Sequence, residues 1–321
     1  MVGLAVLAAG LWAGGSLLLE HRATAGGLPK VVDIPRGASL RQTAYILKRQ
    51  GIVDYPRLWV AAARLHGWQY HPVVKAGEYR LSPSMSYRAI IEVLVQGRVN
   101  RRAVLIPEGF TLARIIERLA ASGVCDADDA RRLSTDRKFI ASLGLKAASL
   151  EGYLFPDTYQ FVRGAGAKRA LQVMVAQFKK HWQPLAAKAK KLGLDMHQAV
   201  TLASIIEGEA VAGGERRIIS AVYHNRLKLG MPLQADPTVA YGIKDLKGPL
   251  LRKHLKVEHP YNTYLHPGLP PGPICSPGLG SLKAAVDPAK VDYLYFVARG
   301  DGTHVFNRHY RDHLRAIKKY R

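Results

Sequence analysis

The same order of apolar and polar positions occurs twice in this chain, 72 residues apart. "VVDIPRGASLRQTAYILKRQGIV" starts at Val31 and "AVLIPEGFTLARIIERLAASGVC" at Ala103. Ile34, Pro35, Gly37, Ser39, Leu40, Leu47, Gly51 and Ile52 fall opposite Ile106, Pro107, Gly109, Thr111, Leu112, Leu119, Gly123 and Val124. Each copy predicts a short strand, a Pro and Gly turn, a Ser or Thr N-cap, an amphipathic helix and a Gly stop. Two copies are too few for a solenoid, so they predict two related small α/β units. Between them, "KAGEYRLSPSMSYRAIIEVLVQG" from Lys75 predicts a strand, a turn and a helix with Ile90, Ile91 and Leu94 on one face.

From about Ala167 the pattern becomes helical. "AKRALQVMVAQFKKHWQPLAAKAKKLGL" is interrupted by Pro184, and its basic residues read as a solvated face. Asp195 with Gln198 three residues on makes a capping-box start for "MHQAVTLASIIEGEA". "GGERRIISAVYHNRLKLG" predicts a further helix with Gly at each end. After Gly230 the chain is rich in Pro, Gly, Tyr and Asn until Ser281, where "SLKAAVDP" predicts a short helix and "DYLYFVA" a strand. An irregular stretch of that length is unusual in a compact domain, and such loops are often functional. The fold class expected is α+β.

Composition adds three constraints. With 321 residues and 48% hydrophobic content, the chain can build one large domain or two ordinary ones without disulfide or metal staples. The 47 Lys and Arg against 24 Asp and Glu give a net charge of +23, which favours an anionic neighbour such as a membrane surface, an acidic polymer or nucleic acid. Nucleic acid is disfavoured: the basic residues are scattered, without a zinc-finger spacing, an aromatic RNP-like strand or a basic zipper. The run Val2 to Leu19 carries no charge over 18 residues, nearly enough to span a bilayer core of ~30 Å. It reads as a retained anchor or a signal peptide. "ATA" at Ala23 to Ala25 fits a cleavage site, but the run exceeds the ~7–15 residues of a signal core, so an anchor over 1–22 is the reading adopted. No Lys or Arg precedes the run, so the charge rule does not support an inside amino terminus, and either way the bulk of the chain is expected outside the cytoplasm. Cys125 and Cys275 could pair there; two unpaired small hydrophobes is the reading favoured.

The candidate chemistry centres on "LASIIEGEA", residues 202–210. At ~100° per residue, Leu202, Ile205, Ile206 and Glu209 share one side of a helix, and Val200, Ala203, Ser204 and Glu207 the opposite side. The two acids cannot face one site if the helix runs through both. Glu209 then belongs to the bulky stripe that packs inward, whereas Glu207 stands among small side chains, where another molecule could approach closely. A partly desolvated carboxyl in such a wall could stay protonated as a general acid near neutral pH. Residue pattern alone favours one solvated and one hydrogen-bonded Glu near a helix end.

Other polar residues form a candidate sugar-binding set. Glu151 sits beside Gly152 in a Tyr and Phe cluster; "LQADPTVAYG" supplies Gln234 and Asp236; "YNTY" supplies Tyr261, Asn262 and Tyr264. Amides, carboxylates and aromatic faces suit pyranose hydroxyls and ring faces, but Asp before Pro and Asn between aromatics also initiate turns. Asn225 could orient the acid or bond a neighbouring loop. His309 and His313, four apart on an expected helix, lack a third ligand and an HExxH motif, so a basic helix is favoured over a metal site. There is no G-x-S-x-G elbow and no P-loop.

"LEGYLFPDTY" (from Leu150), "LASIIEGEA", "VYHNRLKLGMPLQADPTVAYG" (from Val222), "YNTYLHPGLPPGPICSPG" (from Tyr261) and "SLKAAVDPAKVDYLYFVARGDGTHVF" (from Ser281) resemble the successive signatures of the MltG (YceG-like) family of endolytic murein transglycosylases. The resemblance runs from about Val31 to the end. It implies a transmembrane anchor at 1–22, a LysM-like subdomain at 30–100, to which "IPRGASLRQTAYIL" and "KAGEYRL" are similar, and a YceG-like catalytic domain at 101–321. It implies Glu207 as the catalytic acid, no metal and no cofactor, peptidoglycan glycan strands as substrate, and inner-membrane lipid and peptidoglycan synthases as neighbours. It also tips Glu151, Asn225, Gln234, Asp236, Tyr261, Asn262 and Tyr264 towards a substrate cleft. The chain departs from the family in having Gly208 where a charged or polar residue is usual and Ala210 where Thr is usual. Two other readings stay open: a non-catalytic peptidoglycan-binding or scaffold protein, and a hydrolase with Asp236 as its second carboxylate.

Overall fold

The computed structural model describes residues 13–66, 74–210, 213–243, 246 and 248–320, and is a mixed α+β structure. It divides into two compact units, residues 1–102 with 160–164, and residues 103–159 with 165–321. Among the described residues no helix is long and apolar enough to cross a membrane. Residues 1–12, which hold most of the expected anchor, lie outside the described residues, and 13–20 are helical.

In the first unit, strand β1 (Lys30–Ile34) leads through the Pro35 turn into helix α1 (Leu40–Arg49), followed by α2 (Pro56–His66), β2 (Gly77–Leu81) and α3 (Tyr87–Gln96). Ser39 closes a capping box with Gln42, satisfying two of the otherwise orphaned donors at the start of α1. β1 and β2 pair antiparallel with Val32 opposite Tyr79. Val32, Ile34, Leu47, Trp59, Tyr79, Ile90, Ile91 and Leu94 form one buried core, so the expected apolar face of α3 is the face that packs.

The second unit opens on the second copy of the repeat: β3 (Arg102–Ile106), a turn through Gly109 at φ 74°, then α4 (Leu112–Ala121) capped by Thr111. Gly37 at φ 77° occupies the matching place in the first copy. Both turns need the left-handed backbone that glycine adopts without strain. The pattern gave no clear signal for α5 (Ala127–Thr135), α6 (Arg137–Ser142) or β4 (Asp157–Phe161), which pairs with β3. α7 (Ala167–Trp182) ends where Pro184 imposes a short 3-10 turn before α8 (Ala186–Lys191). Next come α9 (Met196–Glu209), α10 (Arg216–Lys228), α11 (Asp236–Gly242) and α12 (Leu279–Val286). The hairpin β5 (Tyr295–Ala298) and β6 (His304–Asn307) precedes α13 (Tyr310–Tyr320). Cys125 and Cys275 both lie in this unit as free thiols. His309 falls just before α13 rather than on it, and among the described residues no group of His, Cys, Asp and Glu could hold a metal ion.

The helix α9 carries the two acids and is the centre of the unit. Its entire middle, Ala199 to Ile206, is buried on both sides. The small-residue face is therefore not an open wall for another molecule; the chain's own segment 273–278 covers it. Ile274 donates its N–H to Ser204 Oγ at 3.0 Å, and the Cys275 thiol lies 3.4 Å from the Ser204 carbonyl. Gly152, at φ 82°, lets Pro273 and Val200 approach where any side chain would collide.

Candidate active site around Glu207

The capping box at the start of α9 is formed: the Asp195 side chain accepts from the Gln198 N–H and Gln198 Oε1 accepts from the Asp195 N–H. The helix runs through Gly208 to Glu209, so the two acids diverge as the ~100° spacing requires. Glu207 turns towards segment 273–278 and the turn after β3. Glu209 accepts from the phenol of Tyr223 at 3.0 Å. It is partly exposed and lines a cavity instead of packing fully into the core.

Three backbone contacts build the surroundings of Glu207. Gly109 N–H donates to the Ser276 carbonyl at 2.9 Å, and Ser276 N–H returns a bond to the Phe110 carbonyl at 2.8 Å. This pairing fixes segment 273–278 against the turn after β3. It delivers the Gly278 N–H to Glu207 Oε2 at 2.9 Å. On the other oxygen, Arg216 Nη2 stands 3.4 Å from Glu207 Oε1. Arg216 is the first residue of α10; its Nε donates to Ser281 Oγ at 3.1 Å, which fixes the guanidinium plane. The Glu207 side chain is 7% exposed. One carboxyl edge is thus oriented by an amide and a guanidinium, in a place mostly removed from water, where electrostatic effects are strengthened.

A second carboxylate, Glu108, lies 4.0 Å from the same Arg216 Nη2. Burial, and then the charge of Glu207, push its carboxyl upward, with Arg216 opposing. Sequence reading missed Glu108 and Arg216. Glu108 stands in the turn of the second repeat copy, where "IPEG" reads only as turn chemistry, and Arg216 in a helix whose basic residues read as ordinary. The signal that could have found Glu108 is the difference between the copies: the first has Arg36 at that position.

The other sequence candidates separate into distinct places. Glu151 is 6% exposed; it accepts from the Leu112 N–H at 2.9 Å, closing the start of α4, and from Tyr241 Oη at 3.2 Å. Burial raises its pKa to about 7, with these hydrogen bonds acting in the opposite direction. Tyr261 stacks obliquely on Tyr241, ring centroids 4.9 Å apart. Gln234, at φ 53°, accepts from Arg226 Nη1 at 3.1 Å, and Asp236 accepts from the Tyr264 phenol at 2.6 Å. These three, with Glu209, Arg226 and His304, line a polar cavity of about 310 Å³. A non-glycine residue in the left-handed region at such a cavity marks a locally strained and hence over-determined place. Asn225 and Asn262 hold loops. Asn225 Nδ2 donates to the Val291 and Tyr293 carbonyls, both at 3.0 Å. Asn262, 1% exposed, donates to the Leu255 and Val257 carbonyls at 3.0 and 2.8 Å. Of the two roles open to Asn225, it performs loop bonding. Asp236 is engaged with Tyr264, and the carboxylate sharing a cation with Glu207 is Glu108.

Residues 32–319 match the model of the YceG-like family. The chain belongs to this family. Among its relatives, the endolytic murein transglycosylase of Bacillus subtilis is 33% identical over 305 residues, which cover 90% of this chain and 84% of that protein. The endolytic murein transglycosylase of Streptococcus pneumoniae serotype 2 is 27% identical over an alignment of 358 positions, covering 100% of this chain and 64% of the relative. A crystal structure of a putative YceG-like protein from Listeria monocytogenes, 32% identical, superposes with a TM-score of 0.62 over 91% of this chain and 100% of that one. In this YceG-like chain the unusual Gly208 has a local cause. A Cβ there would stand 2.7 Å from Cβ of Pro237, so the first turn of α11 closes directly on α9.

Proposed function

We propose that this chain is an endolytic murein transglycosylase that cleaves the glycan between N-acetylmuramic acid and N-acetylglucosamine, with Glu207 as both acid and base. The observation that carries the reading is Glu207 itself: a nearly enclosed carboxyl in the family's "LASIIEGEA" motif, held at one oxygen by the Gly278 N–H and at the other by Arg216. Protonated, Glu207 gives its proton to the leaving glycosidic oxygen. The resulting carboxylate, stabilised by those two donors, then takes the proton of the sugar's own C6 hydroxyl as that oxygen closes on the anomeric carbon. The product end is 1,6-anhydromuramic acid, and no water is consumed. Ordinary glycosidases need a second carboxylate as nucleophile or to activate water; an intramolecular hydroxyl makes one carboxyl sufficient.

In this reading the first unit is a LysM-like subdomain that holds peptidoglycan, and the amino-terminal segment anchors the protein in the inner membrane with the second unit outside the cytoplasm. There it would cut nascent strands beside the synthases. The basic surface suits anionic lipid headgroups and the carboxylates of peptidoglycan. Glu151, Gln234, Asp236, Tyr261 and Tyr264 are offered as glycan contacts, supported by their polar and aromatic character around two partly buried clusters. Asn225 and Asn262 shape those contacts indirectly through the loops they hold.

Glu108 beside Arg216 keeps a hydrolase reading open to test, because a second carboxylate could activate water. Digestion of purified peptidoglycan in water enriched in oxygen-18 separates the two. The transglycosylase yields anhydromuramic ends without label; a hydrolase yields labelled reducing ends, and a binding protein yields neither.

A further inference from the structure

Arginines gather on one side of the first unit without counter-charges. Arg41 and Arg49 stand in one row of α1 with Tyr45 between them, and Arg57 and Arg64 in one row of α2. Arg36 stands in the turn before α1. All five are exposed, and among the described residues none has an ion-pair partner. They line two adjoining grooves of about 470 and 440 Å³ that share Arg41 and Tyr45, and no described carboxylate lines either groove. Elsewhere the chain does neutralise arginines: on α5, Arg131 pairs with Asp128 and Arg132 with Asp129. In the first unit Asp54 is engaged with His21 and Glu20 with Arg88. Like charges gathered round a groove repel, and an anion in the groove relieves that repulsion.

Position selects the kind of anion. α2 lies beside the end of the charge-free run Val2 to Leu19, whose residues 13–19 are helical. Tyr55, just before α2, has its ring centroid 5.9 Å from that of His21. Near the other end of α2, Leu65 Cδ1 stands 3.9 Å from where a Cβ on Gly15 would lie. Leu18 and Leu19 pack on the core of the unit, and the His21 carbonyl accepts the Tyr87 N–H at 2.9 Å. No free linker separates the run from the unit. Arg57 to Arg64 covers about 10 Å of helix, comparable with a headgroup layer of roughly 5–8 Å.

We propose that this face binds anionic phospholipid headgroups, with their phosphates in the arginine-lined grooves, and so holds the first unit against the membrane surface. It rests on the reading of the amino-terminal run as a membrane anchor. The planar, weakly hydrated guanidinium fork suits phosphate. Tyr45, Tyr55, Leu58 and Leu65, each 45–55% exposed, add apolar surface beside it, and tyrosine favours the boundary between lipid and water. A soluble polyanion would answer the charge and leave that apolar surface in water.

The test uses the full chain in nanodiscs of phosphatidylcholine, alone or mixed with phosphatidylglycerol. Hydroxyl-radical footprinting with mass spectrometry follows Tyr45, with the exposed Tyr310 of the second unit as reference. Oxidation of Tyr45 relative to Tyr310 should fall several-fold in the phosphatidylglycerol discs and recover at high salt. Each arginine at an anionic surface contributes about 5-fold, so the folded triple variant Arg41→Gln, Arg57→Gln, Arg64→Gln should weaken the contact about 100-fold and lose the protection. Equal oxidation of Tyr45 in both discs overturns the proposal, as does protection that the variant retains. Protection in phosphatidylcholine discs by added inorganic phosphate or purified glycan strands also overturns it, by assigning the face to a free anion or to peptidoglycan. A chain that enters neither disc would instead sink the anchor reading. Cosedimentation with phosphatidylglycerol vesicles then decides the face: binding about 100-fold weaker in the variant sustains the proposal, and equal binding ends it.

Discussion

Replacing Glu151 with Gln should change how the stability of this protein depends on pH. Glu151 is 6% exposed, and burial raises its pKa from 4.5 to about 7 against the pull of the Leu112 N–H and the Tyr241 phenol. Below pH 4.5 the carboxyl is protonated in both folded and unfolded chains and costs nothing. As pH rises, the unfolded chain ionises first, so the folded state progressively loses stability until Glu151 itself ionises near pH 7. Above that the loss is constant. From 4.5 to about 7, at ~1.36 kcal/mol per pH unit, the difference amounts to about 3 kcal/mol. In a unit of this size that corresponds to a Tm change on the order of 5–10 °C. Gln keeps an acceptor for Leu112 and cannot ionise. Calorimetric unfolding of wild type and Glu151→Gln at pH 5, 6, 7 and 8 isolates the effect, because other titrating groups cancel in the difference. The variant should gain on wild type steadily from pH 5 to 7 and hold that gain at pH 8. A difference that stays flat from pH 5 to 8 would refute the reasoning.

Three further outcomes follow from named contacts. Gly208→Ala gains about 1 kcal/mol of helix propensity but drives a methyl into the Pro237 ring, a clash worth about 1–3 kcal/mol, so thermal melting should show a net fall in Tm. A rise would show that α11 yields easily. Asn262→Ala leaves the Leu255 and Val257 carbonyls without their buried donor and should cost about 1–3 kcal/mol in denaturant unfolding. Glu209→Gln keeps an acceptor for Tyr223 and should still release anhydromuramic ends; complete loss of product in a folded variant would move the acid from Glu207 to Glu209.

What the sequence made legible is what local chemistry decides. Ser39 and Thr111 cap the two repeat helices because their side chains can satisfy the first free amides, and Pro184 ends α7 because its ring cannot continue the helix. The divergence of Glu207 and Glu209 follows from helix geometry alone. The rest depended on partners distant in sequence. Arg216 and Gly278 reach Glu207 from 9 and 71 positions away, and the pairing of Ser276 with the Gly109 turn sets the turn that carries Glu108 against segment 273–278. The face of Val200, Ala203 and Ser204 reads as open because small residues permit approach by any partner, and the partner proved to be the chain itself. Asn225 and Asn262 show the same limit: an amide that bonds a loop and one that bonds a sugar are the same residue until the acceptors around it are known.

The most direct test of Glu207 as the acid and base of a murein transglycosylase is mass spectrometry of peptidoglycan digested by wild type and by Glu207→Gln. Glu207 is 7% exposed and held by Gly278 and Arg216, and the amide variant preserves its shape while removing the proton it must give and take. The account predicts 1,6-anhydromuramic ends from the wild type and none above background from the variant. Equal anhydromuramic yields from both proteins would contradict it.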